Sequence, residues 1–273
     1  MPTAWHVRIA GLSILASVVP EMTAAIDRNF LQNFLEDMPY RVPNYLVDYA
    51  VRSTHVPVGI LRGIYYSQNA FFKESFIDEI AHAGGHDPYL FRRSLLDGKP
   101  KQLAVLDAAA DRSRWRSPPP PGVFRGIALN EACGSICAQV VEASVSAAGA
   151  VRVHRVVSAI DCGHVVNPLA VELQTQSAVV FGLTAALYGE IGIAGGRVQQ
   201  SNFHDYQMLR MADMPQVETV MVPSGDFWGG VGEPPVAPLA PALCNAIFAA
   251  TGKRIRSLPL KNHDLRRAHG AAP

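Results

Sequence analysis

An α+β fold is predicted, and three observations predict it. Residues 138–146 and 151–160 are rich in valine with alternating polar positions, and the turn Ala147-Ala148-Gly149 separates them, the pattern of a β-hairpin. Other segments carry apolar residues at helical spacing and end in cap residues. Strands and helices interleave without the strict strand–helix–strand repeat of a parallel sheet.

The elements follow in order. The first 50 residues have no clean period and are punctuated by turns at 36–39 and 41–44. Within them, residues 9–20 form an apolar run. It is shorter than the about 20 residues of a membrane span and reads as a buried strand or strand-turn. Residues 68–83 read as a helix: Phe72, Phe76 and Ile80 recur every four residues, with Ile77 beside them, as one apolar stripe. Gly84-Gly85 ends it. Asp87 then caps a second helix, Pro88 suits its first position, and Phe91, Leu95 and Leu96 form its buried side. Gly98 and Pro100 stop it. Residues 111–122, with prolines 118–121, read as a linker, because a proline run cannot pair in a sheet. It divides the chain into 1–117 and 118–273, or marks a surface loop in one continuous domain. After the hairpin, residues 216–222 read as a further strand. A long helix between them is capped by Asn167, starts at Pro168, and shows Leu169, Leu173, Val180 and Leu187 as its apolar face. The last helix, 238–250, aligns Leu239, Leu243, Ile247 and Ala250, and Thr251-Gly252 closes it.

Composition narrows the function classes. The 273 residues are 49% hydrophobic and 17% charged, which excludes intrinsic disorder. A net charge of +1 excludes a basic nucleic-acid footprint over the whole chain. Four cysteines are too few for a disulfide scaffold. Their spacing fits neither zinc nor iron–sulfur, so buried free thiols are the default. Low charge with 22 glycines and 20 prolines points to loops and to surface that another body covers.

Three segments could carry chemistry. In Gly229-Gly230-Val231-Gly232-Glu233-Pro234-Pro235, glycines let the backbone approach a ligand, and two prolines stiffen the loop behind a single carboxylate. Glu233 so held is a natural general base. Taken alone, such a loop is more often structural. The second segment runs from Asp161-Cys162-Gly163 to Asn167-Pro168 and on to Gln174, a strand end, a tight turn and a capped helix. A helix start there offers free N–H groups to an anion, although a plain strand–helix junction is the commoner outcome. The third is Arg62-Gly63 in a loop ahead of a helix, followed by Gln68; an arginine there can serve an anionic ligand. His204-Asp205 has the look of a catalytic dyad, but no nucleophile elbow accompanies it.

Together and in order, these segments resemble the molybdenum-binding large subunit of the xanthine dehydrogenase/aldehyde oxidase family. Asp161-Cys162-Gly163, Asn167-Pro168, Gln174 and Phe181-Gly182-Leu183 are similar to its second cofactor-binding domain. Gly230 to Pro235 resembles the loop carrying its catalytic glutamate, and Gly252-Lys253-Arg254 with Leu258-Pro259 its tail. Ser67-Gln68-Asn69, Glu74 to Glu79 and Ser201 to Tyr206 look like the isoquinoline 1-oxidoreductase branch. The resemblance implies mixed sheets with packed helices. The molybdopterin-binding region would lie across both halves, with the glutamate loop in 118–273. It implies a molybdenum–molybdopterin cofactor in the cytosine dinucleotide form, with the metal held by the pterin and not by side chains. Iron–sulfur clusters are expected on a small partner subunit. An N-heterocycle or aldehyde would be oxidised with oxygen from water, and Glu233 would be the base. Arg62, Gly63, Gln68, Gln174, Gly230 and Gly232 would lie against the cofactor.

Two departures follow. Where the family shows Glu-Gly-Gly, this chain has Gln176-Ser177-Ala178, and two side chains at glycine positions narrow the pterin cleft. Full subunits of this branch are more than twice as long, with the missing part upstream. The chain therefore reads as a C-terminal piece, inactive without that upstream half. The alternative is a folded remnant or assembly module that no longer binds cofactor.

Overall fold

The computed structural model describes residues 1–19, 21, 27–35, 37–52 and 54–266. Its centre is a four-stranded mixed sheet. Strands β3 (Phe124–Ala132), β4 (Ser135–Val145) and β5 (Val151–Asp161) run antiparallel in sequence, and β8 (Gln216–Met221) pairs with β5 in parallel. The hairpin and its later partner match the sequence reading; β3 was not foreseen.

Helices cover both faces of this sheet. On one lie α5 (Pro168–Tyr188) and α6 (Leu239–Thr251), packing Val179, Leu183, Leu243 and Ile247 on Ala128, Val141 and Val156. On the other lie α2 (Tyr66–Ala83), α3 (Pro88–Leu95) and α4 (Pro100–Arg112), packing Ile77, Leu95, Val105 and Leu106 on Ile127, Leu129, Ala138 and Val140. Burial on both faces explains why β3 escapes a search for alternating polarity: its centre is apolar throughout. It also contains Gly126, an ordinary strand breaker. A Cβ there would collide with Ala242 O and Ala246 N, so the glycine lets α6 lie directly on the strand.

The remaining elements sit at the edges. Strand β1 (Ala4–Gly11) pairs in parallel with β2 (Asn44–Val51), and short α1 (Ile14–Val18) lies between them in sequence. The apolar run from Ile9 is thus a strand end followed by a helix turn capped by Ser13, with no buried residue in α1, rather than one buried strand. Pro20 and Glu36 lie outside the described residues. Strands β6 (Ile193–Ala194) and β7 (Arg197–Val198) form a minimal exposed hairpin.

Several boundaries follow their caps. The Asp87 carboxylate accepts from Leu90 N at 2.9 Å ahead of Pro88, and Asn167 Oδ1 accepts from Ala170 N at 3.2 Å ahead of Pro168. Gly252 closes α6 at φ 72°. Pro100, read as a stop, is instead the first residue of α4, where its missing N–H costs nothing. Asp111 and Arg112, assigned to the linker, therefore end that helix. The span Pro234–Thr251 is long and apolar enough to cross a membrane by composition, but it is mostly buried against the sheet as a core segment.

Two apolar faces are corrected. On α2, Phe72 and Phe76 are exposed by 50% and 43%, while Asn69, Phe71, Lys73, Glu74, Ile77 and Asp78 are buried. On α5, Leu169 and Leu173 are exposed, and the buried face carries Val171, Thr175, Ala178, Val179 and Leu183. The charged residues of α2 go inside because their partners are there. Glu74 Oε2 accepts from Arg92 Nε at 2.9 Å, Tyr40 OH at 3.1 Å and Leu129 N at 3.1 Å. Arg92 Nη2 donates to Glu74 O at 2.8 Å, and Arg254 Nη1 to Asp78 Oδ2 at 2.6 Å. Burial pulls the Arg92 guanidinium down, but Glu74, Tyr40 and Asp78 outweigh it and hold its proton more firmly than usual.

Glu74→Ala is expected to destabilise the chain by about 3–5 kcal/mol, because it strands a buried guanidinium; urea unfolding followed by circular dichroism measures this. Gly126→Ala should cost about 1–3 kcal/mol through forced displacement of α6, read in the same experiment.

Candidate active site

Four stretches of chain converge on one cleft. The loop 229–233 leads into a 3-10 turn at Pro234–Val236 and then α6. Its backbone is gripped from below: Gly229 N donates to Cys162 O at 2.9 Å, Gly230 N to Cys133 O at 2.8 Å, and Ser135 Oγ to Gly230 O at 2.7 Å. A Cβ at Gly229 would collide with Gly134 O, and one at Gly230 would press on Cys133 Cβ at 3.0 Å, so the glycines allow this close approach. Buried Gln139 Nε2 holds Pro235 O at 2.8 Å, which fixes the loop's exit.

The second stretch is the loop before α2. Gly63 sits at φ 81° and Tyr65 at φ 62°, a tight reversal that aims Arg62 across the cleft. Arg62 Nε donates to Gly232 O at 2.6 Å, Nη1 to Ser177 Oγ at 2.9 Å, and Nη2 to Gln174 Oε1 at 3.1 Å and Gln174 O at 3.3 Å. Its ring neighbour is Phe181, with the guanidinium 5.7 Å from the centroid. Burial lowers the hold of Arg62 on its proton and the Glu233 carboxylate opposes this.

Glu233 stands at the centre. Its Oε1 accepts from Gly63 N at 3.2 Å and its Oε2 from Cys133 Sγ at 3.6 Å. The Cys133 thiol is pushed up by burial and, next, by that carboxylate. Glu233 is half-buried, and its carboxylate is held on both oxygens.

Five predicted residues therefore meet: Arg62, Gly63, Gln174, Gly232 and Glu233. Gly230 lies behind the carboxylate, on the Cys133 turn. Gln68 faces elsewhere, into an apolar recess of about 470 Å³ that it lines with Arg62, Phe71, Phe72 and Phe181. Three contributors were missed. Cys133 was classed with buried thiols, but it is exposed, unlike Cys137, Cys162 and Cys244. Ser135 and Ser177 act through contacts 95 and 115 positions away in sequence, which no local pattern signals. Ala178 is fully buried, so its methyl group is in the core and away from the cleft, whereas Ser177 faces it and binds Arg62. The His204-Asp205 pair has a local role. Asp205 accepts from the backbone of Asn202 and Ser201, and these bonds hold its carboxyl down at about 2.

Comparison with known proteins fits this geometry. Two models described as molybdopterin cofactor-binding domains match residues 126–215 and 16–96, together more than half of the chain. The interval between them holds α4 and the proline run. The isoquinoline 1-oxidoreductase subunit beta of Brevundimonas diminuta is 33% identical over 258 residues, covering 93% of this chain and 33% of that protein. A xanthine dehydrogenase molybdenum-binding subunit of Escherichia coli O157:H7 is 38% identical over 117 residues, covering 40% of this chain and 16% of that protein. The aldehyde oxidoreductase of Desulfovibrio desulfuricans shares the fold: TM-score 0.71 at 14% identity, over 94% of this chain and 46% of that one. The two model matches define a protein built from molybdopterin cofactor-binding domains. The chain belongs to the molybdenum hydroxylase family of large, molybdenum-binding subunits. It spans about a third of the length of the isoquinoline enzyme's subunit.

The cleft fits a pterin-held group in two respects. The space where a Gly232 side chain would stand is clear of every atom within 4 Å except Gln174 Oε1, at 3.7 Å, so the loop leaves a wall of bare backbone. The exposed Gln174 amide beside it supplies donors that a fused pterin ring system accepts. Among the described residues no three His, Cys, Asp or Glu side chains cluster as a metal site.

Arg62→Lys should loosen the glutamate loop. Losing the guanidinium fork removes about 1.5 kcal/mol or more. Amide hydrogen exchange at Gly232 and Glu233 is expected to speed up roughly tenfold or more, with the core strands unchanged.

Proposed function

We propose that this chain forms the base-bearing wall of a molybdenum hydroxylase site that oxidises an N-heterocycle or an aldehyde with oxygen drawn from water. The observation that carries the reading is the Glu233 carboxylate, fixed from both oxygens at the open side of a cleft walled by Gly232, Gln174 and Arg62. When bound, the molybdenum–pterin group, read as the cytosine dinucleotide form, supplies the two-electron redox chemistry.

The chain's own residues do the rest. Glu233 takes the proton released as water-derived oxygen becomes a nucleophile. An ionised carboxylate is acceptor-only with about four lone-pair sites, so the Gly63 and Cys133 bonds leave room for that proton. Gln174 and the backbone at Gly232 bind the pterin. Arg62 positions both, because all three of its nitrogens are engaged by Gly232, Gln174 and Ser177. Gly63 and Gly230 give the backbone its close approaches, and Gln68 lines the recess behind.

The chain is read as working with an upstream half of the molybdenum subunit and a small iron–sulfur subunit. Exposed Leu61, Phe203, Met211, Phe227 and Trp228 support this, as apolar surface suited to cover by another body.

The test is Glu233→Gln in the assembled enzyme. Turnover of a heterocycle or aldehyde is expected to fall about 10²–10⁴-fold, with molybdenum per chain unchanged by elemental analysis. Wild-type turnover in this variant would overturn the assignment.

A further inference from the structure

The turn between β3 and β4 does more than connect two strands. Cys133 stands there at φ 51°, a conformation uncommon for a side-chain-bearing residue, next to Gly134 at φ 73°. This turn makes three separate contacts with the glutamate loop. Cys133 O accepts from Gly230 N, Ser135 Oγ donates to Gly230 O, and Cys133 Sγ lies 3.6 Å from Glu233 Oε2. On its other side the turn lies within electrostatic reach of Tyr66, the first residue of α2. The thiol is thus seated between the start of α2 and the carboxylate.

We propose that Cys133 is a positioning residue: its S–H donates to Glu233 Oε2 and, opposite the Gly63 N–H on Oε1, fixes the plane of the carboxylate toward the cleft. This rests on the reading of Glu233 as the base. Two physical arguments support it. A carboxylate held by one donor turns about its last bond, whereas one held on both oxygens from opposite sides does not. The thiol is also suited to donate. Burial and then Glu233 raise its hold on its proton, so it stays S–H beside a carboxylate. Reorientation of a base by even a fraction of its hydrogen-bond reach is costly, since misplacement of about 1 Å can cost 10²-fold in rate.

The experiment has one arm that needs no turnover. The full chain with its partners is treated with iodoacetamide at one fixed pH, and alkylation of Cys133 is followed by peptide mass spectrometry in wild type and in E233Q. Removing the carboxylate should speed alkylation severalfold, because its charge favours S–H over the reactive thiolate. Equal rates would show that thiol and carboxylate do not interact and would overturn the proposal. In the second arm, C133A should lower kcat about tenfold to a hundredfold with KM unchanged, and C133S, which restores a donor, should recover most of kcat. Circular dichroism melting of each variant separates this from misfolding. A C133A enzyme with wild-type kcat overturns the proposal. Turnover surviving in E233Q removes the base assignment, while the alkylation ratio still reports whether the two groups touch.

Discussion

The buried pair Glu74–Arg92 is the constraint on which the rest depends. Both side chains are fully removed from water, and the bonds they make tie four elements together. Arg92 comes from α3, Glu74 from α2, and Leu129 N from β3, while Asn245 on α6 donates to Glu74 O at 3.4 Å. Further along, Asp78 of α2 meets Arg254, just beyond the end of α6. These pairings match middle with middle and late with late, and Val236 ahead of α6 lies against Gly63 ahead of α2, so α2 and α6 run in the same direction. Their first residues must then lie at the same end of the molecule. Arg62-Gly63 precedes α2 and Gly232-Glu233 precedes α6, so the cleft forms where the two helix starts come together. The site is a consequence of helix register, and that register is pinned by charge.

A buried ion pair is poor value as stabilisation, because desolvating two ions offsets most of their attraction. Its use is as a register device. An apolar α2–α6 contact could slide by a turn with modest loss, whereas a slip here would part Asp78 from Arg254 and Asn245 from Glu74 O, and moving α2 itself would part Glu74 from Arg92 and Tyr40 in the core. A one-turn slip is about 5.4 Å, which is more than enough to separate Gly63 N from Glu233 Oε1, now 3.2 Å apart.

The same fact explains where sequence reasoning succeeded and failed. Helix starts at Pro88 and Pro168 and the end of α6 at Gly252 were legible, because caps are local chemistry. The buried side of α2 was not. Its apolar stripe reads as the core face, but Lys73, Glu74 and Asp78 find Asn130, Arg92 and Arg254 at 57, 18 and 176 positions away, so the charged face is the inner one. Strand β3 hid behind Gly126 and a run without alternation, and α4 behind Pro100, which serves a start as well as a stop. In the site, Arg62, Gly63, Gln174, Gly232 and Glu233 could be named because glycine-rich loops and helix starts mark themselves. Ser177, Ser135 and Cys133 could not, because each acts only through a neighbour brought close by the fold.

Arg62 shows how the cleft is made rigid. Each of its nitrogens is committed to this chain, to Gly232, Gln174 and Ser177, so its charge is spent on joining a loop to a helix. Serine at a position expected to be glycine adds a bond to that junction. Preorganisation of this kind matters most for a base, whose lone pairs must face the proton before it is released. The glutamate loop is attached along its whole length: Cys162 O at Gly229, the β3–β4 turn below it, Arg62 and Gly63 across it, and Gln139 at its exit. Beside these attachments Gln174 is exposed and Gly232 and Glu233 are only partly covered, so this part of the site keeps contact with solvent.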